Sequence, residues 1–180
     1  GPQIVCLFEN GLHFDLYLQT KERFSQKDKI LIIYDPYKLL ADYKEEPLSL
    51  TITKLGTIIN EFSYTLIEFY QAYSRKDYLF SFKLVGYLHS IYTQVLRNFI
   101  DPMRSEIPTK GFLKKLNNND LKAYLEITKL IKYETTLLAA KTLIVKMNDL
   151  LGNLTIDVVE VVNFDFFLFA KKQIYSINEE

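Results

Sequence analysis

The chain is poor in the residues on which many functional sites depend: it has one cysteine, two histidines, six scattered glycines and no excess of either charge. A lone Cys6 cannot close an internal disulfide and has no second thiol for a C-x-x-C zinc or redox site, so it reads as a small buried hydrophobe in a strand. His13 and His89 are too few for a histidine-based metal cluster. Lysine plus arginine and aspartate plus glutamate number 22 each, which leaves no global field to recruit nucleic acid or an anionic membrane. Apolar runs are short. The best of them, residues 166–170, falls far below the ~18–20 residues needed to span a bilayer. No basic stretch followed by an apolar one opens the chain, so no secretory signal is read and the expected location is cytoplasmic. The glycines form no G-x-G-x-x-G, no Walker A loop and no G-x-S-x-G elbow.

What is present is enough apolar material for a core, 48% hydrophobic residues against 24% charged, in a length suited to one domain or to a small piece attached to a larger one. Residues 3–20 carry the clearest local pattern. Asn10-Gly11 is a strong hairpin signal, since both central residues of a type I′ turn need positive φ. After it Leu12, Phe14, Leu16 and Leu18 alternate with His13, Asp15, Tyr17 and Gln19, so a period of two sends the apolar set to one face and a polar row to the other. Asp15 is thereby a carboxylate on a strand, the type of fixed acceptor that binds a divalent cation or serves as a general base. It is the candidate catalytic and metal-binding residue, and His13 and Tyr17 beside it are the candidate substrate-binding residues.

Residues 21–29 are charged and patternless apart from Phe24, so a loop or one short surface helix is expected. Residues 30–34 form a compact β-branched run that predicts a third strand buried on both faces. Asp35-Pro36 then supplies an N-cap and a proline at the first helical position, predicting a short helix through Tyr43. Glu45-Glu46-Pro47 marks the boundary between a strand-rich part, residues 1–47, and a helical part, residues 48–180.

In the helical part Leu55, Ile58, Ile59, Phe62, Leu66, Phe69 and Tyr73 recur at three- and four-residue steps, predicting a helix over 48–74. Asp77 caps a second one with the stripe Leu84, Leu88, Ile91, Val95 and Phe99, stopped by Asp101-Pro102. A polar break at 117–120, ending in Asp120 as N-cap, leads to a third long helix with the seam Tyr133, Leu137, Ala140, Ile144, Met147 and Leu151, closed by Gly152-Asn153 as a left-handed cap. Asp157 and Glu160 resemble a capping box opening a buried helix over 158–175. The expected fold is therefore mainly α, of α+β kind: a small N-terminal hairpin plus one further strand, then an antiparallel bundle of four to five helices.

Other chemistry finds no support in the residue pattern. The 13 tyrosines and 13 phenylalanines sit at helical spacing and read as core rather than base-stacking surfaces. His89 lacks the neighbouring arginine that a HEPN-type ribonuclease motif requires and reads as a structural histidine. No local signature supports a Ser-His-Asp triad.

The run Cys6-Leu-Phe-Glu-Asn-Gly-Leu-His-Phe-Asp-Leu-Tyr-Leu18 resembles the strand that carries the third acidic residue of antibiotic nucleotidyltransferases, the aminoglycoside and lincosamide adenylyltransferases of the polymerase-β-like superfamily. Residues 30–34 with Asp35-Pro36 look like the next strand of that catalytic domain, and the helix pair over 62–99 and the stretch from Ile107-Pro-Thr-Lys-Gly111 to Leu121 are similar to that family's C-terminal helical domain. The family's Gly-Ser turn and Asp-x-Asp pair have no counterpart here. The resemblance thus implies the C-terminal part of an enzyme that would move a nucleotide monophosphate from an NTP to a hydroxyl of a small molecule, with Mg²⁺ and NTP as cofactors of the complete enzyme and none in this piece. By it, residues 1–47 are what remains of the catalytic domain and Asp15 completes the metal site or deprotonates the acceptor; independently of it, Gly1-Pro2 reads as a protease-cleavage remnant. The partners it implies are a small-molecule acceptor and a second copy in a homodimer, with no nucleic acid and no membrane. The other reading is a non-catalytic helical module for protein interaction or dimerisation.

Overall fold

The computed structural model describes residues 2–27 and 29–177, so the Gly1 reading lies outside the described residues. It is mainly helical with an N-terminal antiparallel hairpin, as the pattern predicts, and it divides into two compact units at Pro47/Leu48.

In the first unit β1 (Gln3–Leu7) pairs with β2 (His13–Tyr17) in the register Gln3 to Tyr17, Val5 to Asp15 and Leu7 to His13. The turn is not type I′. Gly11 has φ of 81° while Asn10 stays in the ordinary region, the Gly11 N–H donates to the Phe8 carbonyl at 2.9 Å, and the Phe8 N–H donates to the Leu12 carbonyl at 2.8 Å. This is a three-residue loop in which a type I turn is followed by a left-handed glycine. The Asn10 carboxamide oxygen accepts from the Leu12 N–H at 3.0 Å, work that suits it to the turn without positive φ.

Residues 30–34 do not form the third strand. Among the described residues the only sheet has two strands, and Leu31 and Ile33 are 84% and 89% exposed. A strand buried on both faces needs covering layers and ladder partners, and this unit supplies neither. The helix expected after Asp35 is a chain of turns instead. Both oxygens of the Asp35 carboxylate are used, on the N–H groups of Leu39 at 2.9 Å and Leu40 at 2.8 Å, so the aspartate wraps a loop rather than capping a helix. Residues 21–29 contain one 3₁₀ turn, Lys21–Arg23. Cys6 is only half buried, because the apolar face of the hairpin has no covering layer within this unit.

The second unit holds the core. α1 (Ile52–Ser74) is capped by Thr51, whose hydroxyl accepts from the Lys54 N–H, and buries Leu55, Ile59, Phe62, Leu66, Phe69 and Ala72. α2 (Tyr78–Ile100), capped by Asp77, returns beside it and buries Leu84, Leu88, Ile91 and Val95. Lys76, with φ of 61°, makes the tight reversal between them. Phe99, expected in the stripe, lies at the exposed end of it.

The long third helix is in fact two. α3 (Asn118–Lys129) starts at Asn117 rather than Asp120, the Asn117 side chain accepting from the N–H groups of Asn119 and Asp120 at 3.0 Å each and donating to the Asp120 carboxylate at 2.6 Å. α4 (Thr136–Leu151) then carries the predicted seam from Leu137 to Leu151, fully buried, while Tyr133 stands outside it. Threonine hydroxyls make the break. Thr135 donates to the Leu130 carbonyl at 2.7 Å and Thr136 to the Tyr133 carbonyl at 2.7 Å, capturing carbonyls that a continuous helix would use. Gly152 is right-handed, φ −66°, so no left-handed cap forms there.

The final helix is likewise divided into a single turn, α5 (Ile156–Val159), and α6 (Phe164–Tyr175). The divider comes from α1. Asn60 donates its amide to the Val161 carbonyl at 3.1 Å and accepts from the Asn163 N–H at 2.8 Å, and Gly56 admits Val161 so closely that an added Cβ would lie 2.5 Å from Cγ2. α1 packs between α2 and α6, and α4 closes the bundle against α2 and α6. Among the described residues five helices of twelve or more residues satisfy the predicted four to five. Among the described residues no helix is long and apolar enough to cross a membrane.

Candidate functional site

The polar row lies on β2 as the alternation requires. His13 and Asp15, two residues apart on one strand face, meet with Nε2 3.2 Å from Oδ1. Their side chains are 54% and 31% exposed, so the pair is accessible and solvent-screened. Tyr17 continues the row, exposed, opposite Gln3. The cross-strand neighbours of His13 and Asp15 are Leu7 and Val5, both exposed, which gives the polar row an apolar border. On the other face Phe8 stacks on Phe14 at 5.7 Å between ring centres, with Ile4 and Leu16 alongside.

Asp15 is a single carboxylate already engaged with an imidazole. Among the described residues no three His, Cys, Asp or Glu side chains converge as metal ligands. A magnesium ion on nucleotide phosphates is held by two or more convergent oxygen ligands.

Three polar features of the bundle were not anticipated. A cavity of about 440 Å³ opens where the start of α1 meets α2 and the loop after it, bordered by Leu50, Ile58 and Gln94. Lys54 Nζ lies 2.9 Å from Glu106 Oε1 at its edge. The loop is held by backbone bonds, Leu48 N–H to the Met103 carbonyl at 2.9 Å and Glu106 N–H to the Leu48 carbonyl at 2.7 Å.

Behind that loop Arg97 is almost wholly buried. One guanidinium nitrogen donates to the carbonyls of Ile107 at 2.5 Å and Lys110 at 2.9 Å, the other to the Asp101 carboxylate at 2.9 Å, and the plane rests over Phe112. Its Nε has no partner among the described residues. The fork geometry of arginine lets one side chain tie three chain segments together.

His89, read as structural, is part of a reciprocal clamp between α2 and α3. Thr93 donates to the His89 carbonyl at 2.7 Å, and its hydroxyl lies 2.9 Å from that of Tyr124. Thr128 donates to the Tyr124 carbonyl at 2.9 Å, and its hydroxyl lies 3.1 Å from His89 Nε2. Each helix thus brings one ring to a threonine of the other. Burial holds the His89 pKa below its ordinary value and raises that of Tyr124, while the neighbouring Tyr92 is pushed up to about 12, mainly by burial. On the outer surface Tyr87 donates to Glu61, and that bond raises its pKa.

Comparison with protein-family models, with curated proteins and with solved structures finds no match to this chain. The functional reading therefore rests on the residues themselves.

Proposed function

We propose that this chain is the C-terminal part of a nucleotidyltransferase-like protein, in which the hairpin contributes one acidic residue to a site that moves a nucleotide monophosphate from an NTP to a hydroxyl of a small molecule. The observation that carries the reading is the exposed His13–Asp15 pair on β2, a carboxylate fixed on a strand and left open to an incoming group. In that role Asp15 takes the proton from the acceptor hydroxyl as its oxygen attacks the α-phosphorus and pyrophosphate leaves, with His13 orienting the carboxylate. The nucleotide and the remaining acidic groups are to be held by residues other than these 180.

The reading makes a paired expectation. The 180-residue chain, given Mg²⁺, ATP and hydroxylated acceptors, transfers no nucleotide. In a polypeptide that also carries the Gly-Ser and Asp-x-Asp elements, Asp15→Asn lowers kcat by about 10³-fold or more while the circular dichroism spectrum is unchanged. Turnover that survives Asp15→Asn removes Asp15 from the mechanism.

A second reading, a non-catalytic interaction module, is favoured by adjacent exposed Leu168 and Phe169 on α6. On α1 the large exposed apolar residues, Ile52 and Tyr64, are more than three turns apart and form no continuous patch. Sedimentation equilibrium decides it: a dimer dissociated by Phe169→Glu supports this reading, and a monomer at all concentrations removes the dimer.

A further inference from the structure

We propose that a second cavity of the helical unit is a binding site for a small quaternary ammonium ion. The cavity, of about 360 Å³, is bordered by Tyr73 in the last turn of α1, Tyr78 at the start of α2, Tyr133 and Glu134 in the 3₁₀ turn before α4, and the first turn of α4 itself. Tyr73 and Tyr78 have ring centres 5.2 Å apart and planes inclined at 71°, so they form a corner rather than a flat wall. Both outer rings are braced. Phe69 stacks behind Tyr73 at 5.6 Å, and Phe82 meets Tyr133 edge-on at 6.5 Å. Three tyrosines thus border one cavity, each in ring contact with another aromatic, and an aromatic-lined recess attracts a cation through ring quadrupoles.

The chemistry selects the kind of cation. Glu134 is the only charged residue bordering the cavity among the described residues, and the aliphatic contribution comes from Leu137 and Leu138. A primary ammonium is strongly hydrated and gives up part of that hydration on entry. A quaternary ammonium has no N–H to satisfy, presents methyl groups to ring faces and leucines, and still gains from the Glu134 carboxylate. The volume admits a choline-sized ion. The first-turn N–H groups of α4 favour an anion instead, so the sign of the preferred ligand is the point to measure.

The test is an ¹H–¹⁵N NMR titration of the intact chain with tetramethylammonium and with choline, against the neutral isostere 3,3-dimethylbutanol and against acetate. The expected result is saturable shifts confined to residues around 73, 78 and 133–138, with a dissociation constant on the order of 1 mM and the isostere at least tenfold weaker. Tyr133→Ala, at a half-exposed position, weakens choline at least tenfold, and Glu134→Gln, which keeps the shape, about threefold. The proposal is overturned by absence of shifts up to about 50 mM cation, by equal binding of the neutral isostere, by a preference for acetate, or by unchanged affinity in a folded Tyr133→Ala.

Discussion

The two units use the same kinds of residue to different ends. In the hairpin unit Ile4, Phe14, Leu16 and Leu31 all stay exposed, whereas in the helical unit Ile59, Phe62, Leu66 and Phe69 are sealed from solvent. Both units carry regularly spaced large apolar residues, at a period of two in the hairpin and at helical spacing in the bundle. The difference is the number of faces available. α1 meets α2 on one side and α6 on another, so each apolar position finds a counterpart, while a two-stranded ribbon has one apolar face and nothing in its own unit to lay on it. Burial is a property of the partner as much as of the residue.

The largest effects expected from this contrast are in the core. Phe62→Ala, at a position sealed between α1 and α6 beside Phe167, should cost ~3–5 kcal/mol in urea unfolding. Phe14→Ala on the hairpin should cost well under ~1 kcal/mol, the scale of a cross-strand pair. Equal losses at the two sites would mean that the hairpin face is covered in solution. Arg97→Met comes next. It keeps the volume over Phe112 but leaves two carbonyls and the Asp101 carboxylate without their donor, a loss of ~2–4 kcal/mol. Faster amide exchange should then appear in residues 102–111, where the loop is tied, and little change in α6.

The clamp between α2 and α3 gives a smaller effect with a definite sign in pH. Burial lowers the His89 pKa, so the unfolded chain takes up a proton first as pH falls. The contribution is fully present above about 6.5, the ordinary histidine value, and is lost as pH drops from there through the lowered native value. Urea midpoints between about pH 7.5 and 5.5 should fall in the native chain, and His89→Gln should flatten that limb. A parallel acid limb in the variant would assign it to other groups. Thr128→Val alone should cost ~0.5–1 kcal/mol, the scale of one hydrogen bond at a solvent-accessible contact. Because the clamp closes on itself, its effect combined with Thr93→Val should depart from additivity.

Much of this was written in the sequence, and the misses share one cause. Periodicity reports which positions want to be buried, so the stripes of α1, α2 and α4 and the alternation of β2 were all legible. It does not report where side chains elsewhere interrupt a backbone. Asn60 and Gly56 divide α5 from α6 from a hundred residues away, and Thr135 and Thr136 break a seam whose spacing is otherwise regular. Residues 30–34 failed in the opposite sense, since β-branched composition argued for a strand that had no neighbour to pair with. At the candidate site the His13–Asp15 meeting follows from period two alone. The Lys54–Glu106 edge of the larger cavity joins residues 52 apart in sequence and was invisible until the loop after α2 was seated.

The smallest effect is the one that bears most on function. His13 and Asp15 are an exposed, screened pair, so Asp15→Asn should change stability by less than ~0.5 kcal/mol. A carboxylate that stabilises so little is kept on its strand at almost no benefit to the fold. Its partner on the opposite strand is Val5, which offers it no hydrogen bond from a side chain. If Asp15→Asn instead destabilises the chain by more than ~1 kcal/mol, the carboxylate is structural and the transfer reading loses its motive. If stability is unchanged while Phe62→Ala unfolds readily, the helical unit holds its own core together and the Asp15 carboxylate is dispensable for the fold.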